Sequence, residues 1–254
     1  MEIKPCLNQV YIYGGPGASS ECVSQTVKSL SACLPPFYKI HILDQKCLIK
    51  GHWTKDAAIL IIPGGRDLPY VRDLTCDGNN LIRTFINQGG SFLGICAGAY
   101  YASSYVEFSL NTPNQVIGPR ELALFQSTVK GPMFEPFDYS SNECSRAITL
   151  RLKEKNYTLK VFYKGGGYFV DVNKHPKITT IASYENYDDK PAIIAFMYGK
   201  GRVVLSGVHF EFNPHFFDIN DPYLLGIQAE LIPYEGHRIE LIHTILKLLK
   251  VHAL

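Results

Sequence analysis

The chain has 254 residues, 46% of them hydrophobic and 19% charged, enough to bury a sizeable core, with a formal net charge of only +2. No basic cluster interleaved with aromatic residues occurs, which argues against a nucleic-acid partner. No segment approaches the ~20 consecutive apolar residues of a membrane span, and Met1 to Cys6 holds no apolar run of signal-peptide length. The seven cysteines (Cys6, Cys22, Cys33, Cys47, Cys76, Cys96, Cys144) show neither framework spacing nor a Cys-x-x-Cys pair, so no disulfide scaffold or zinc site is implied. The expectation is a soluble, cytoplasmic protein with reduced thiols, one domain over residues 1–254, and no cofactor or metal.

In chain order, residues 8–13 read as a β-rich first strand that runs into Gly14-Gly15-Pro16-Gly17-Ala18-Ser19-Ser20, and residues 21–33 follow with helical spacing. The glycine loop lacks the Lys-Ser/Thr of a P-loop and does not match Gly-x-Gly-x-x-Gly, so a tight turn near the site is favoured over a phosphate cradle. Strands are expected at 38–43 and 57–62, the latter ending in Pro63-Gly64-Gly65-Arg66, then a helix at 77–88. Strands alternating with helices predict a parallel sheet covered on both faces, with its working residues at the carboxyl ends of the strands.

The next strand, 91–95, leads straight into a helix at 97–103 with Cys96 at the bend. A lone cysteine in an apolar strand is most often a small core residue. The Gly94-Ile95-Cys96-Ala97-Gly98 frame favours a functional site: flanking glycines relieve crowding at a strained nucleophile elbow, and a helix start favours thiolate. The Pro63-Gly64-Gly65 turn reaches the same sheet edge. An N–H of Gly64 or Gly65, with that of Ala97, could therefore form an oxyanion hole; the bland alternative is a plain glycine turn.

From about 107 to 190 helical periodicity fades and alternation at 147–152, 158–163 and 178–184 predicts antiparallel strands and long loops, an elaboration of the same domain. Lys164-Gly165-Gly166-Gly167-Tyr168 reads as a hairpin turn, or else as backbone close to the pocket. Two strands around Gly199-Lys200-Gly201 form a further hairpin, the second running into Gly207-Val208-His209-Phe210-Glu211. If that strand continues, His209 and Glu211 share a face and supply an imidazole base and its orienting carboxylate. A single His-x-Glu is more often an exposed polar pair; it gains weight only beside the elbow and the Pro63-Gly64-Gly65 turn. Glu240 and His243, on a last helix at 235–251, read as a solvated face.

These phrases together resemble the class I glutamine amidotransferases. Pro63-Gly64-Gly65-Arg66-Asp67-Leu68-Pro69-Tyr70, Gly94 to Ser103 and Gly165-Gly166-Gly167-Tyr168-Phe169 are similar, more specifically, to the N-terminal domain of eukaryotic-type biotin-protein ligases, which also occurs free-standing. The resemblance implies a flavodoxin-like three-layer sandwich with a central, mostly parallel sheet. It implies Cys96 as nucleophile, His209 as base, Glu211 as orienter and an oxyanion hole at Gly65 and Ala97. Arg66, Tyr100, Gly166 and Gly167 belong to the shared phrases and are expected in the substrate pocket. No Gly-Arg-Gly-Arg-type loop is present, so the chain is not expected to biotinylate on its own. Tyr100 stands where glutaminases of the class carry Gln, which argues against glutamine as substrate. Two functions follow: a cysteine amidohydrolase or amidotransferase acting on a small amide or acyl compound, or a regulatory module that binds a partner such as a biotin ligase.

Overall fold

The computed structural model describes residues 7–155 and 157–254; Cys6 and the N-terminal segment read above lie outside them. The first half gives β1 (Gln9–Tyr13), α1 (Ser20–Cys33), β2 (Lys39–Leu43), α2 (Gln45–Lys50), β3 (Ala57–Ile62), α3 (Asp67–Asn87), β4 (Ser91–Ile95) and α4 (Ala97–Ala102). There follow β5 (Ser103–Phe108), β6 (Val116–Pro119), β7 (Phe125–Gly131), β8 (Arg146–Leu152), β9 (Thr158–Tyr163), β10 (Tyr168–Phe169), β11 (Ile178–Tyr184), β12 (Pro191–Tyr198), β13 (Gly201–Ser206), α5 (Pro222–Leu231) and α6 (Glu235–Leu248).

Nine strands form one sheet in the order β2-β1-β3-β4-β13-β12-β11-β8-β9, and four more form a second sheet, β10-β7-β5-β6. The five strands from β2 to β13 pair in parallel; from β12 outward the pairs are antiparallel. The central strands β3 and β4 of this mixed α/β sheet are buried on both faces, as uninterrupted apolar runs such as Ala57–Ile62 require. Alternate residues of β3 point to opposite sides. Ile59 and Ile61 pack with Val23 and Leu30 of α1 and Leu241 and Ile245 of α6. Leu60 and Ile62 pack with Leu48 of α2 and Leu74 and Ile82 of α3.

The middle of the chain joins the same sheet through β8, β9 and β11, as its alternation predicts. One departure from the antiparallel expectation is β5 with β7, which pair in parallel. The segment 164–168 is not a hairpin turn, because β9 and β10 belong to different sheets. Its glycines instead carry the chain past the site from one sheet to the other. Thr75 (φ 54°, ψ −172°) leaves helical geometry and divides α3 in two: the second part is the helix expected at 77–88, and the first, beginning at Asp67 with Pro69 in its first turn where a missing N–H is tolerated, is not anticipated from periodicity. The unpredicted α5 is capped by Asp221, whose side chain accepts from the Tyr223 N–H, with Pro222 at its first position.

Candidate active site

Cys96 lies between fully buried β4 and the start of α4 with φ 49° and ψ −104°. A non-glycine residue in this region is strained and persists only where its surroundings fix it. Here the Cys96 N–H donates to the Ser206 carbonyl at 2.7 Å, and the Cys96 carbonyl accepts from Ala99 and Tyr100 N–H groups at 2.9 and 3.0 Å. The glycines of the elbow act differently from the expectation. A Cβ on Gly98 would fall 2.0 Å from the Ile62 carbonyl oxygen, and one on Gly94 would fall 2.7 Å from that of Gly98. They let α4 settle onto the strands, and the strain stays on Cys96. The thiol, largely buried, is 3.6 Å from the carbonyl oxygen of Lys164.

His209 and Glu211 come together as predicted, by a different route. β13 ends at Ser206, and His209 and Glu211 sit in the turn beyond it, so no pleat sets them on one face. His209 Nδ1 is 2.8 Å from Glu211 Oε1, with both residues buried. Contacts remote in sequence hold the turn. The Ser29 hydroxyl of α1 donates to the Glu211 carbonyl at 2.6 Å, and Arg238 of α6 donates to the Phe210 carbonyl at 2.9 Å. The His209 N–H donates to the Phe162 carbonyl at 3.0 Å, which folds the outer strand β9 back onto the extension of β13.

Burial opposes charge on the imidazole, but the Glu211 carboxylate and then the Cys96 and Cys22 sulfurs outweigh it. Protonation of His209 is held well above the usual histidine range. Cys22, in the first turn of α1, was not singled out from sequence. Burial pushes its thiol up, partly offset by a hydrogen bond with His209. One ligand atom from each of Cys22, His209 and Glu211 lies within 4.8 Å of the others, a sulfur, nitrogen and oxygen set of the kind zinc accepts. Glu211 Oε2 is buried without a hydrogen-bond partner among the described residues.

Cys96 and His209 open onto one cavity of about 370 Å³, which Cys22, Gly65, Arg66, Ala97 and Tyr100 also line. Glu211, Gly64, Gly166 and Gly167 stand one layer back. Gly64 passes so close to His209 that a Cβ would lie 2.6 Å from its Cε1. At Gly166 two backbones cross, and a Cβ would fall 1.5 Å from the Gly207 carbonyl oxygen. Tyr100 lines the cavity, and its hydroxyl donates to the Gly165 carbonyl at 3.1 Å. The sequence reading missed Cys22, the Lys164 carbonyl and the aromatic wall of Phe108, Phe137, Tyr139, Phe162 and Phe212. Cys22 follows the first glycine loop, and that position at the carboxyl edge of β1 was the available signal.

Fold and site define an α/β protein with a thiol, an imidazole and a carboxylate gathered at the carboxyl edge of a mixed sheet. The chain belongs to the family described as biotin-protein ligase, N terminal, which it matches over residues 8–254. It is 33% identical over 231 residues to a biotin-protein ligase of Schizosaccharomyces pombe, covering 89% of this chain and 37% of that protein. An uncharacterized protein of Chlamydia muridarum is 27% identical over 250 residues, 95% of each chain. Among solved structures the fold resembles Gan42B, a GH42 β-galactosidase from G. stearothermophilus (TM-score 0.53, 13% identity, 98% of this chain and 30% of that one). It also resembles the cytoplasmic protein STM3548 from Salmonella typhimurium (TM-score 0.50, 10% identity, 95% and 99%). Among the described residues no helix is long and apolar enough to cross a membrane.

Proposed function

We propose that the chain is a cysteine-dependent acyl-transfer protein, an amidohydrolase or amidotransferase, built on a flavodoxin-like, class I glutamine amidotransferase-like core. The parallel strands run in the order 2-1-3-4-5 of flavodoxin-like sheets, counting β13 as the fifth, which supports that fold reading. The observation that carries the chemistry is the convergence of a strained Cys96 and a buried His209–Glu211 pair on one cavity. In the proposed reaction Cys96 Sγ attacks the carbonyl carbon of a small amide or acyl compound. His209 takes the thiol proton and passes it to the leaving group, and Glu211 fixes the imidazole tautomer and stabilises its charged form. The amides of Gly65 and Ala97 would receive the developing oxyanion. Cys22, Cys33, Cys47, Cys76, Cys96 and Cys144 are free, which supports a reducing, cytosolic setting.

The test is trapping of an acyl-enzyme. Incubation with 4-nitrophenyl acetate is expected to give a burst of nitrophenolate and a single acetyl adduct on Cys96 by intact mass and peptide mapping. Both are lost in Cys96→Ala and retained in Cys22→Ala. Acetylation spread evenly over the thiols would overturn the reading.

A second reading rests on the family itself: relatives include a biotin-protein ligase of which this chain spans 37%. On that reading the chain is a regulatory module that binds a biotin ligase, and adding it to a ligase from the same source would change the biotinylation rate with Cys96→Ala as effective as the wild type.

A further inference from the structure

The cavity beside Cys96 carries a charge pattern that the acyl-transfer chemistry does not use. Arg66 follows the Gly65 oxyanion position, and its guanidinium lies 4.3 Å from the centre of the Tyr139 ring, which also lines the cavity. Among the described residues Arg66 makes no ion pair. Its neighbour Asp67, also in the wall, is already engaged: Arg120, itself buried, donates to Asp67 Oδ2 through Nε at 2.7 Å. The Asp67–Arg120 ion pair is net neutral, so its two charges largely offset one another at Arg66. Lys164 also contributes to the wall, but its Nζ donates to Asn142 Oδ1 at 2.9 Å, and that amide in turn donates to the Asp221 carboxylate at 2.7 Å. The remaining acid of the wall, Glu21, is exposed, as is Arg66 itself.

The rest of the lining is aromatic. Phe108 and Phe137 meet edge to face at 5.2 Å, Phe137 and Tyr139 at 4.6 Å, and Tyr100 and Phe108 at 5.5 Å. Such a wall offers flat apolar area, and a guanidinium stacked on it is held in place to meet a planar carboxylate through paired N–H donors. Resting on the acyl-transfer reading of Cys96, we infer that the substrate is a small amide or acyl compound bearing a carboxylate together with an aromatic or apolar body. The carboxylate is taken by Arg66, and the body lies on the Phe108, Phe137 and Tyr139 rings.

Two experiments separate this inference from the one beneath it. In the first, Cys96 is alkylated with iodoacetate and with iodoacetamide, and the ratio of the two rates is compared with that at exposed Cys47. Expected is a ratio at Cys96 about tenfold above that at Cys47, falling severalfold in Arg66→Gln, since a cationic cleft concentrates an anionic reagent. A ratio that Arg66→Gln leaves unchanged overturns the inference while leaving Cys96 as nucleophile intact. The second does not involve the thiol: calorimetric titration of wild type and Cys96→Ala with hippurate and with its neutral analogue N-benzoylglycinamide. Expected is binding of hippurate at least about tenfold tighter than the amide in both proteins, lost in Arg66→Gln. Equal binding of the two, or no binding of either, overturns the inference.

Discussion

Cys22 and His209 meet across Gly64. A Cβ added to that glycine would lie 2.8 Å from the Cys22 sulfur and 2.6 Å from His209 Cε1, so helix α1, the turn after β3 and the turn after β13 are interlocked at one point. The imidazole is thus positioned by steric confinement as well as by Glu211.

Gly64→Ala should therefore displace His209 without emptying the core. Overpacking of this kind costs about 1–3 kcal/mol, and alkylation of Cys96 should slow with only a modest fall in melting temperature. Adding Cys22→Ala removes one of the two clashing atoms and should restore part of the rate. An alkylation rate identical to wild type in Gly64→Ala would show that the imidazole has room to spare.

Competitive labelling with limiting iodoacetamide near neutral pH is expected to find Cys96 ahead of the exposed Cys47 and Cys76, although Cys96 is largely buried. Hydrogen bonding to Asp44 pushes the Cys47 thiol up, and hydrogen bonding to Glu121 does the same for Cys76. His209→Ala should remove the Cys96 advantage, and Glu211→Gln should reduce it less, because the carboxylate acts by orienting the base. Peptide mapping in which Cys47 or Cys76 labels first would exclude an activated Cys96.

The pH dependence of stability reports the pair directly. Burial alone would keep His209 neutral, but Glu211 leads the groups that raise it above the usual range. A raised folded-state value stabilises the protein fully below the unfolded histidine value of about 6.5, and that stabilisation is lost as pH rises through the folded-state value. Glu211→Gln removes it. Urea melts should show the two proteins differing by about 3 kcal/mol near pH 6, since one partner of a buried pair has been deleted, and the gap should narrow toward pH 9. A gap of constant size would mean that His209 is neutral throughout.

Purified protein should release no ammonia from free glutamine. Tyr100 spends its hydroxyl on the Gly165 carbonyl and presents a ring to the cavity, so a side-chain amide contact is missing there. Losing one polar contact of a substrate from such a site costs on the order of a thousandfold or more in specificity. Tyr100→Phe should leave the Gly165 carbonyl without that donor and lower stability by about 1–3 kcal/mol. Glutamine turnover that disappears in Cys96→Ala would refute the assignment of Tyr100.

How far the sequence could be read follows from how local each cause is. Strands β3 and β4 were placed to the residue because each is a short apolar run closed by glycine, proline or the elbow. His209 and Glu211 were found from their spacing, yet what joins them is a turn tied down by Ser29 and Arg238, from helices at opposite ends of the chain. Pairwise periodicity carries no trace of that. Helix α5 escaped because apolar side chains lie on more than one side of it: Leu224 and Ile227 are buried, while Tyr223 and Leu225 are exposed. The Gly165–Gly167 run looked like a turn because a glycine cluster marks close backbone approach as readily as reversal.

The crossing at Gly166 and Gly207 bears on how natural variation in this chain is to be scored. Neither residue reacts with anything, but a methyl group at Gly166 has nowhere to go except against the Gly207 carbonyl, and the displaced strand is the one that leads to His209. An allele carrying alanine there belongs with core disruptions rather than with tolerated surface changes, and a saturation scan of the chain is expected to find this position, one layer behind the cavity, as intolerant as the buried core.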